Sequence, residues 1–401
     1  MGDLGRVVPL SEVGSTRRGQ LGLVKSGFPP GNCRLWTALI FAIAIAGCEP
    51  DPPGVQLDRE LRDVPAEFDH GEYDPEVLEG EILADDDLLG LPITVAVVGD
   101  RLVVGDGTLS PPIHVFRLSD GARLGSLGAR GEGPGEFSST PRLLHPSANE
   151  DELLWGFDPA LARLTEIPLD LPLDEGPPVV LRLTLDFPLV DLEFVSDGTL
   201  VGWGLTPMAR LVRIDREGRV IEGVGEIPDP EGLRGLHEGF RQRAYQPFLS
   251  VVPDGSRLAA VSWKASRIDL VDLSSSEGVI NTEGPFPFIA EVEITETLRA
   301  NRLVRGPKNR TGHVGVVATE QAVLTLFSGR LERAFRDRMD EAEFLHVYHW
   351  DGSFVRAFRL DRPARAMACT DTSCETLVTL VWSPSPAAVR YELPEGWYLP
   401  N

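Results

Sequence analysis

Positive charge is scarce in this chain of 401 residues: 38 Lys and Arg stand against 61 Asp and Glu, a formal net charge of −23. So acidic a chain repels phosphate backbones, which excludes nucleic acid as a partner class. Long apolar runs are missing too. The clearest one, residues 35–47, covers about 13 positions, short of the ~20 that a helix needs to cross a hydrocarbon core. Catalytic signatures are absent: there is no Gly-x-Ser-x-Gly elbow, no His-Glu-x-x-His and no Walker loop. The seven His are scattered, and His346 and His349, three apart, would face opposite sides of a strand and could not share a metal. No catalytic residue and no metal ligand is assigned.

What is present begins at the N-terminus. The run 35–47 follows Arg34 and ends in Ile45-Ala46-Gly47-Cys48. It fits the apolar core of a secretory signal, and the tetrapeptide resembles a bacterial lipobox, in which small residues let a peptidase draw in extended chain before the Cys that is lipidated. Cleavage is expected before Cys48, leaving residues 1–47 as the signal peptide. Residues 1–34 are long for a leader and contain Pro29 and Pro30, so the true start of translation is left open. A lipid with several acyl chains gains ~0.8 kcal/mol per buried CH₂, so the mature chain is expected to be tethered to a membrane and not to span it. Glu49 after the Cys gives weak support to the outer membrane of a bacterial envelope, facing periplasm or exterior.

Residues 49–89 hold 15 Asp and Glu against Arg59 and Arg62, with Pro50, Pro52 and Pro53 at the start. Such a composition orders itself poorly, so 48–84 reads as an acidic flexible tether. Beyond it the chain repeats. Short apolar runs at 101–105, 152–157, 199–203, 257–263, 322–327 and 376–382 each follow a polar turn and an earlier apolar run. Repeats start every ~45–65 residues, which is blade spacing. Second hairpins turn at Asp120-Gly121, Glu217-Gly218 and Asp351-Gly352, dipeptides that favour tight hairpins. Gly (41) and Pro (33) are plentiful enough for many such turns. The expected fold is all-β: a six-bladed β-propeller over 85–395, with 396–401 as a tail. The last repeat stops after its third strand, and an unclosed propeller leaves an open edge. The stretch around Val77 to Leu83 is available to supply the missing outer strand.

Residues 128–137 read Gly-Ala-Arg-Gly-Glu-Gly-Pro-Gly-Glu-Phe. Pro134 removes an amide donor, so this is a turn and not a phosphate loop. Here the chain resembles the bacterial six-bladed β-propeller lipoproteins of NHL-like or TolB-like type. The resemblance spans roughly 85–395 and implies a fold and a compartment, but no activity.

In such a propeller the long loops gather at one mouth of the central channel. Two features fall there. Second strands end in Phe157, Trp203, Trp263, Phe327 and Trp382, read either as packing between blades or as an aromatic-lined pocket. Basic residues gather in the adjoining loops: Arg130, Arg142, Arg241, Arg243, Arg305, Lys308, Arg310, Arg362 and Arg365, with Arg330, Arg333, Arg336 and Arg338 after Phe327. Converging positive charge suits an anionic ligand; the competing reading is surface charge balanced by Glu132, Glu136, Glu238 and Glu332. The possible ligand-binding set is Arg130, Arg241, Arg243, Lys308, Arg310, Trp203, Trp263 and Trp382. Cys369 and Cys374 flank a turn and are a disulfide candidate.

The leading functional reading is a monomeric, lipid-anchored module that binds a protein or a small anionic ligand, with no cofactor. A metal-dependent hydrolase or lyase of the six-bladed type is the alternative, the one case in which Ca or Zn is expected; Asp191, Glu193, His145 and His313 are the inner-strand groups it would draw on. A purely structural envelope protein is the third.

Overall fold

The computed structural model describes residues 64–145, 153–169, 180–229, 233, 238–275, 278–290, 292–296, 301–306, 308–335 and 340–400. All of them belong to one unit, Gln56–Asn401. The signal segment 1–47, the lipidation candidate Cys48 and the first part of the tether lie outside the described residues.

The chain is a six-bladed β-propeller. Blade one is Pro92–Val98, Arg101–Asp106, Ile113–Arg117 and Arg123–Leu127. Blade two is Arg142–Leu144, Leu153–Asp158, Arg163–Pro168 and Val180–Arg182; blade three is Leu189–Phe194, Leu200–Gly204, Leu211–Ile214 and Val220–Val224. Blade four is Pro247–Val251, Arg257–Ser262, Ile268–Asp272 and Val279–Thr282. Blade five is His313–Ala318, Val323–Phe327, Ala342–Tyr348 and Phe354–Ala364. Each inner strand packs against the inner strands of both neighbouring blades, closing a ring. A separate antiparallel hairpin, Val292–Glu296 with Asn301–Arg305, is inserted between blades four and five. The one α-helix among the described residues is Glu238–Ala244.

Position in the blade explains composition. Second strands are sandwiched between neighbouring blades, so both faces are apolar: Leu258, Ala259, Ala260 and Val261 are all fully buried. Outer strands face solvent and alternate, as in Val220–Val224, where Ile221 points out and Val224 in. Many of the short turns share one device. Asp254 accepts from the Ser256 amide at 2.8 Å and its hydroxyl at 2.6 Å, and Asp351 and Asp371 do the same for Ser353 and Ser373. Gly255, at φ +73°, also lies so close to the Ser196 backbone that a Cβ would clash at 2.3 Å.

Blade six has Ala366–Cys369, Thr376–Val381 and Ala387–Glu392, and its outer strand is Glu81–Ala84, antiparallel with Glu81 opposite Arg390. Val77 goes elsewhere: Glu76–Leu78 runs parallel to Phe354–Ala364 as a fifth strand on blade five, Glu76 opposite Phe358. The stretch around Val77 to Leu83 therefore divides between two blades. Gly80 lies between the two strands, where a Cβ would sit 2.3 Å from Val389 and 2.6 Å from the Tyr391 ring.

The structure differs from a tether that is flexible up to the stretch around Val77. From Val64 onward the chain is a strap laid on the propeller. Leu78, Leu83 and Ala84 are buried and Phe68 is partly so, while Glu67, Asp69, Glu72, Glu76, Glu79 and Glu81 are exposed. Composition missed this because the charges occupy only the outer face, leaving a sparse apolar face free to dock. The tail differs too: Trp397 is buried in the same core cluster as Tyr391 and Leu393, so packing continues past residue 395.

Candidate ligand-binding channel

The ring of inner strands leaves a central channel of about 850 Å³, within the range of small-molecule sites. Phe248, Val190, Val314, Val316 and Met367 give it apolar walls, and its charged lining residues are Arg142, Asp191, Glu193, Asp340, Arg365 and Asp371.

The polar centre joins three blades. Arg142, opening the inner strand of blade two, places Nε 3.1 Å from Asp191 Oδ1 and Nη2 3.2 Å from Glu193 Oε1, both on the inner strand of blade three. Its Nη2 also donates to the Leu249 carbonyl of blade four at 2.7 Å. Asp191 and Glu193 are two apart on one strand and so share a face. Burial pushes the Glu193 carboxyl up to about 7, with Arg142 pulling it down and Asp191 adding to the rise. Burial raises Asp191 as well, against Arg142 and the Leu192 and Leu249 amides. Burial opposes the charge of Arg142, but the two carboxylates outweigh it and its pKa is raised. One guanidinium thus serves two carboxylates in a largely buried wall, the setting in which a carboxyl titrates near neutrality.

A second cluster marks the channel mouth. Asp340 accepts from the Trp263 indole N–H at 3.2 Å and pairs with Arg365 at 3.4 Å. Arg365 lies over the Trp382 ring at 3.8 Å, and Lys264 over the Trp263 ring at 3.6 Å. At the end of the blade-six inner strand, Cys369 and Cys374 are joined by a disulfide, Cα atoms 4.9 Å apart, and Cys369 to Thr372 line the channel there.

Of the expected ligand-binding residues, the structure brings Trp263 and Trp382 to the channel region, each through its link to Asp340 or Arg365. Trp203 is buried and donates to Gln242 of the helix at 3.1 Å. Phe157 is buried in the core shared by blades two and three, and Phe327 is buried in an aromatic cluster with Phe68 of the strap and His346. Arg130 donates to the Asp106 carbonyl at 2.7 Å, and Arg241 pairs with Asp229 at 2.9 Å. Arg243 and Lys308 are exposed. Arg310 is buried beneath the strap: it donates to the Pro65, Ala66 and Gly329 carbonyls and lies 4.5 Å over the Phe68 ring. Arg336 and Arg338 lie outside the described residues.

The basic loops therefore have an acidic counterpart within the chain. Arg330 pairs with Glu67 at 2.7 Å, Arg362 donates to the Gly80 carbonyl at 3.1 Å, and Arg390 pairs with Glu81. Three of the basic residues that suggested an anionic ligand, Arg310, Arg330 and Arg362, bind the strap instead, two of them through its backbone carbonyls. Of the inner-strand groups drawn on by the metal-enzyme alternative, His145, Asp191 and Glu193 line the channel; His313 is buried against Thr325 and the Ser266 carbonyl instead. Among the described residues no group of three or more His, Cys, Asp and Glu is placed to hold a metal ion.

Sequence reasoning missed Asp340, which sits in an irregular loop with no repeat to mark it. It also missed Asp106 and Asp158, which end the second strands of blades one and two. Asp106 is fully buried and accepts from the Gly90, Leu91, Thr108 and Leu109 amides at 2.8–2.9 Å; burial raises its pKa, but these four donors outweigh it and hold the carboxyl below its ordinary value. Their shared position at the end of an apolar second strand was the available signal.

The family described as TolB-like 6-blade propeller-like matches residues 75–371. Solved structures similar to the chain include the β-propeller domain of Cps50 (Swd1) from Myceliophteria thermophila, 12% identical, covering 78% of this chain and 99% of that one, TM-score 0.41. A protein from Bacteroides fragilis NCTC 9343 is 12% identical, covering 78% and 94%, TM-score 0.45. Regucalcin, a calcium-binding protein from Agrobacterium tumefaciens strain C58, is 13% identical, covering 79% and 95%, TM-score 0.45. No curated protein matches the chain by sequence.

Proposed function

The chain belongs to the TolB-like six-bladed propeller family, and from that premise we propose that it is a lipid-anchored binding module of the bacterial envelope whose ligand enters the central channel. The carrying observation is the channel itself: about 850 Å³ of apolar wall with a guanidinium and two carboxylates set into it. Binding sites of this kind combine mostly apolar lining with a few placed polar groups. Fold alone does not carry the reading, since propellers host many functions.

The compartment rests on the sequence: the apolar run 35–47 and the lipobox-like Ile45-Ala46-Gly47-Cys48. No described helix is long and apolar enough to cross a membrane. The charged residues that line the channel supply the recognition groups: Arg142, Asp191 and Glu193, with Trp263, Asp340 and Arg365 at the mouth.

The test is native mass spectrometry of the full chain purified from its host in mild detergent, beside Ala96→Trp, which narrows the channel at a lining position. A small molecule that stays with the wild type and is missing from the variant supports channel binding. Equal masses for bound and denatured protein in both would overturn it.

A further inference from the structure

The channel wall carries more carboxylate than guanidinium. Arg142 is shared between Asp191, Glu193 and the Leu249 carbonyl. Glu193 uses Oε1 for Arg142, and its Oε2 accepts no hydrogen bond from a described residue. At the mouth Arg365 and Asp340 balance one another. The lining therefore carries net negative charge at two places, Asp371 and the Arg142 cluster, and in that cluster Glu193 is the carboxylate with an open oxygen.

The Glu193 side chain keeps about 15% of its surface exposed, and its open oxygen offers an acceptor to a donor that enters the channel. A divalent metal suits the place poorly: Ca²⁺ takes six or more oxygen ligands, whereas two carboxylates stand here with a guanidinium between them. A single ammonium fits both the charge and the donor count, because its three N–H groups can divide between Glu193 Oε2 and neighbouring acceptors or water.

Resting on the channel reading above, we propose that the Arg142–Asp191–Glu193 cluster is an ammonium-recognition subsite, and that the ligand is a primary amine whose charged end meets Glu193 while its apolar body lies along Phe248, Val314, Val316 and Met367. The ligand supplies the positive charge that Glu193 otherwise obtains from a proton: burial holds this carboxyl near 7, so the amine and the proton compete for one place. Binding at pH 7 releases protons into solution.

Two probes with one apolar body and opposite charge test this, 4-phenylbutylamine and 4-phenylbutyrate, titrated calorimetrically into the full chain in detergent micelles. The amine is expected to bind about tenfold or more tightly than the acid, the weight of a charge-assisted hydrogen bond. Glu193→Gln is expected to weaken the amine about tenfold, and Asp191→Asn, which leaves Glu193 in place, to weaken it less. The acid binding as well as the amine, with Ala96→Trp abolishing both, overturns the ammonium subsite and leaves the channel reading standing. The amine binding equally to wild type and Glu193→Gln also overturns the subsite. Neither probe binding overturns the subsite and counts against the channel as well.

Discussion

The Nε2 atoms of His70 and His346 face each other at 3.1 Å, although 276 positions separate them. His70 comes from the strap and His346 from the third strand of blade five, and the contact closes an aromatic cluster: His70 stacks on Phe344 at 3.5 Å, and His346 on Phe327 at 4.5 Å. Burial lowers His70 to about 4, partly opposed by the Phe68 carbonyl and the charges of Asp69 and Glu67. Burial lowers His346 well below its ordinary value, with His70 and His313 adding to the effect, and lowers His313 to about 4. The unfolded chain binds these protons more readily, so the stabilisation is complete above the unfolded pKa near 6.5 and is lost as pH falls toward 4. Calorimetry should show Tm flat above pH 7 and falling between 6.5 and 4, and His70→Phe should flatten part of that fall. A profile unchanged by the substitution would show that His70 is not among the groups responsible.

Glu193 has the opposite sign. Its pKa is higher in the fold than in the unfolded chain, so its contribution is favourable at low pH and is lost as pH rises through about 7. Glu193→Gln removes a charge that the wall resists while keeping an acceptor for Arg142. The variant should gain on the order of 1 kcal/mol over wild type at pH 8, with the difference closing near pH 4.5. Denaturant unfolding at the two pH values reads this directly.

Arg310 holds the strap by its carbonyls and by Phe68. Arg310→Ala leaves the buried Gly329 carbonyl without this donor and frees the strap carbonyls of Pro65 and Ala66, at a cost of about 1–3 kcal/mol. Limited proteolysis should then cut first between residues 64 and 75, before the propeller body is attacked. Cleavage spread evenly over the blades would show that the strap does not depend on this clamp.

The Cys369–Cys374 disulfide closes a very short loop. Removing it with Cys369→Ser and Cys374→Ser together should cost about 2 kcal/mol in the chain-entropy account, a modest loss that leaves the propeller folded. Loss of the fold itself would mean that the bond fixes more than its own turn.

Cys48→Ala should move the protein from the membrane fraction to the soluble one if the N-terminal reading is right, because no other segment of the sequence is apolar enough to hold it there. Retention at the membrane would point to a different anchor.

The blades were legible because a propeller repeats one local rule. Apolar second strands and Asp-Gly or Asp-x-Ser turns recur at even spacing, and each such strand is buried by neighbours of the same kind. The strap was only half legible. Its strand-forming end drew notice as a possible closing element, but the docking of Phe68 and His70 depends on Phe286, Phe327 and Phe344, which lie far along the chain and give no local sign of a shared site. The basic loop residues misled for a related reason: counting charge shows that Arg310 and Arg330 need partners, but not that Pro65, Ala66 and Glu67 provide them. Asp191 and Glu193 could be seen as inner-strand carboxylates. That Arg142 reaches them across a blade boundary is a property of the closed ring.

Closure by Glu81–Ala84 also makes the molecule a test of its own completeness. The Arg390–Glu81 link joins residues 309 positions apart, so an early-made segment must wait, edge exposed, until nearly the whole chain has been synthesised. Pairings this distant are reached slowly. A product truncated before Ala387 would leave two edges open at once, one on the unfinished blade and one on the waiting strand, and open edges are what aggregation and quality control act upon. The strand Ala387–Glu392 thus decides whether the blades made before it are kept.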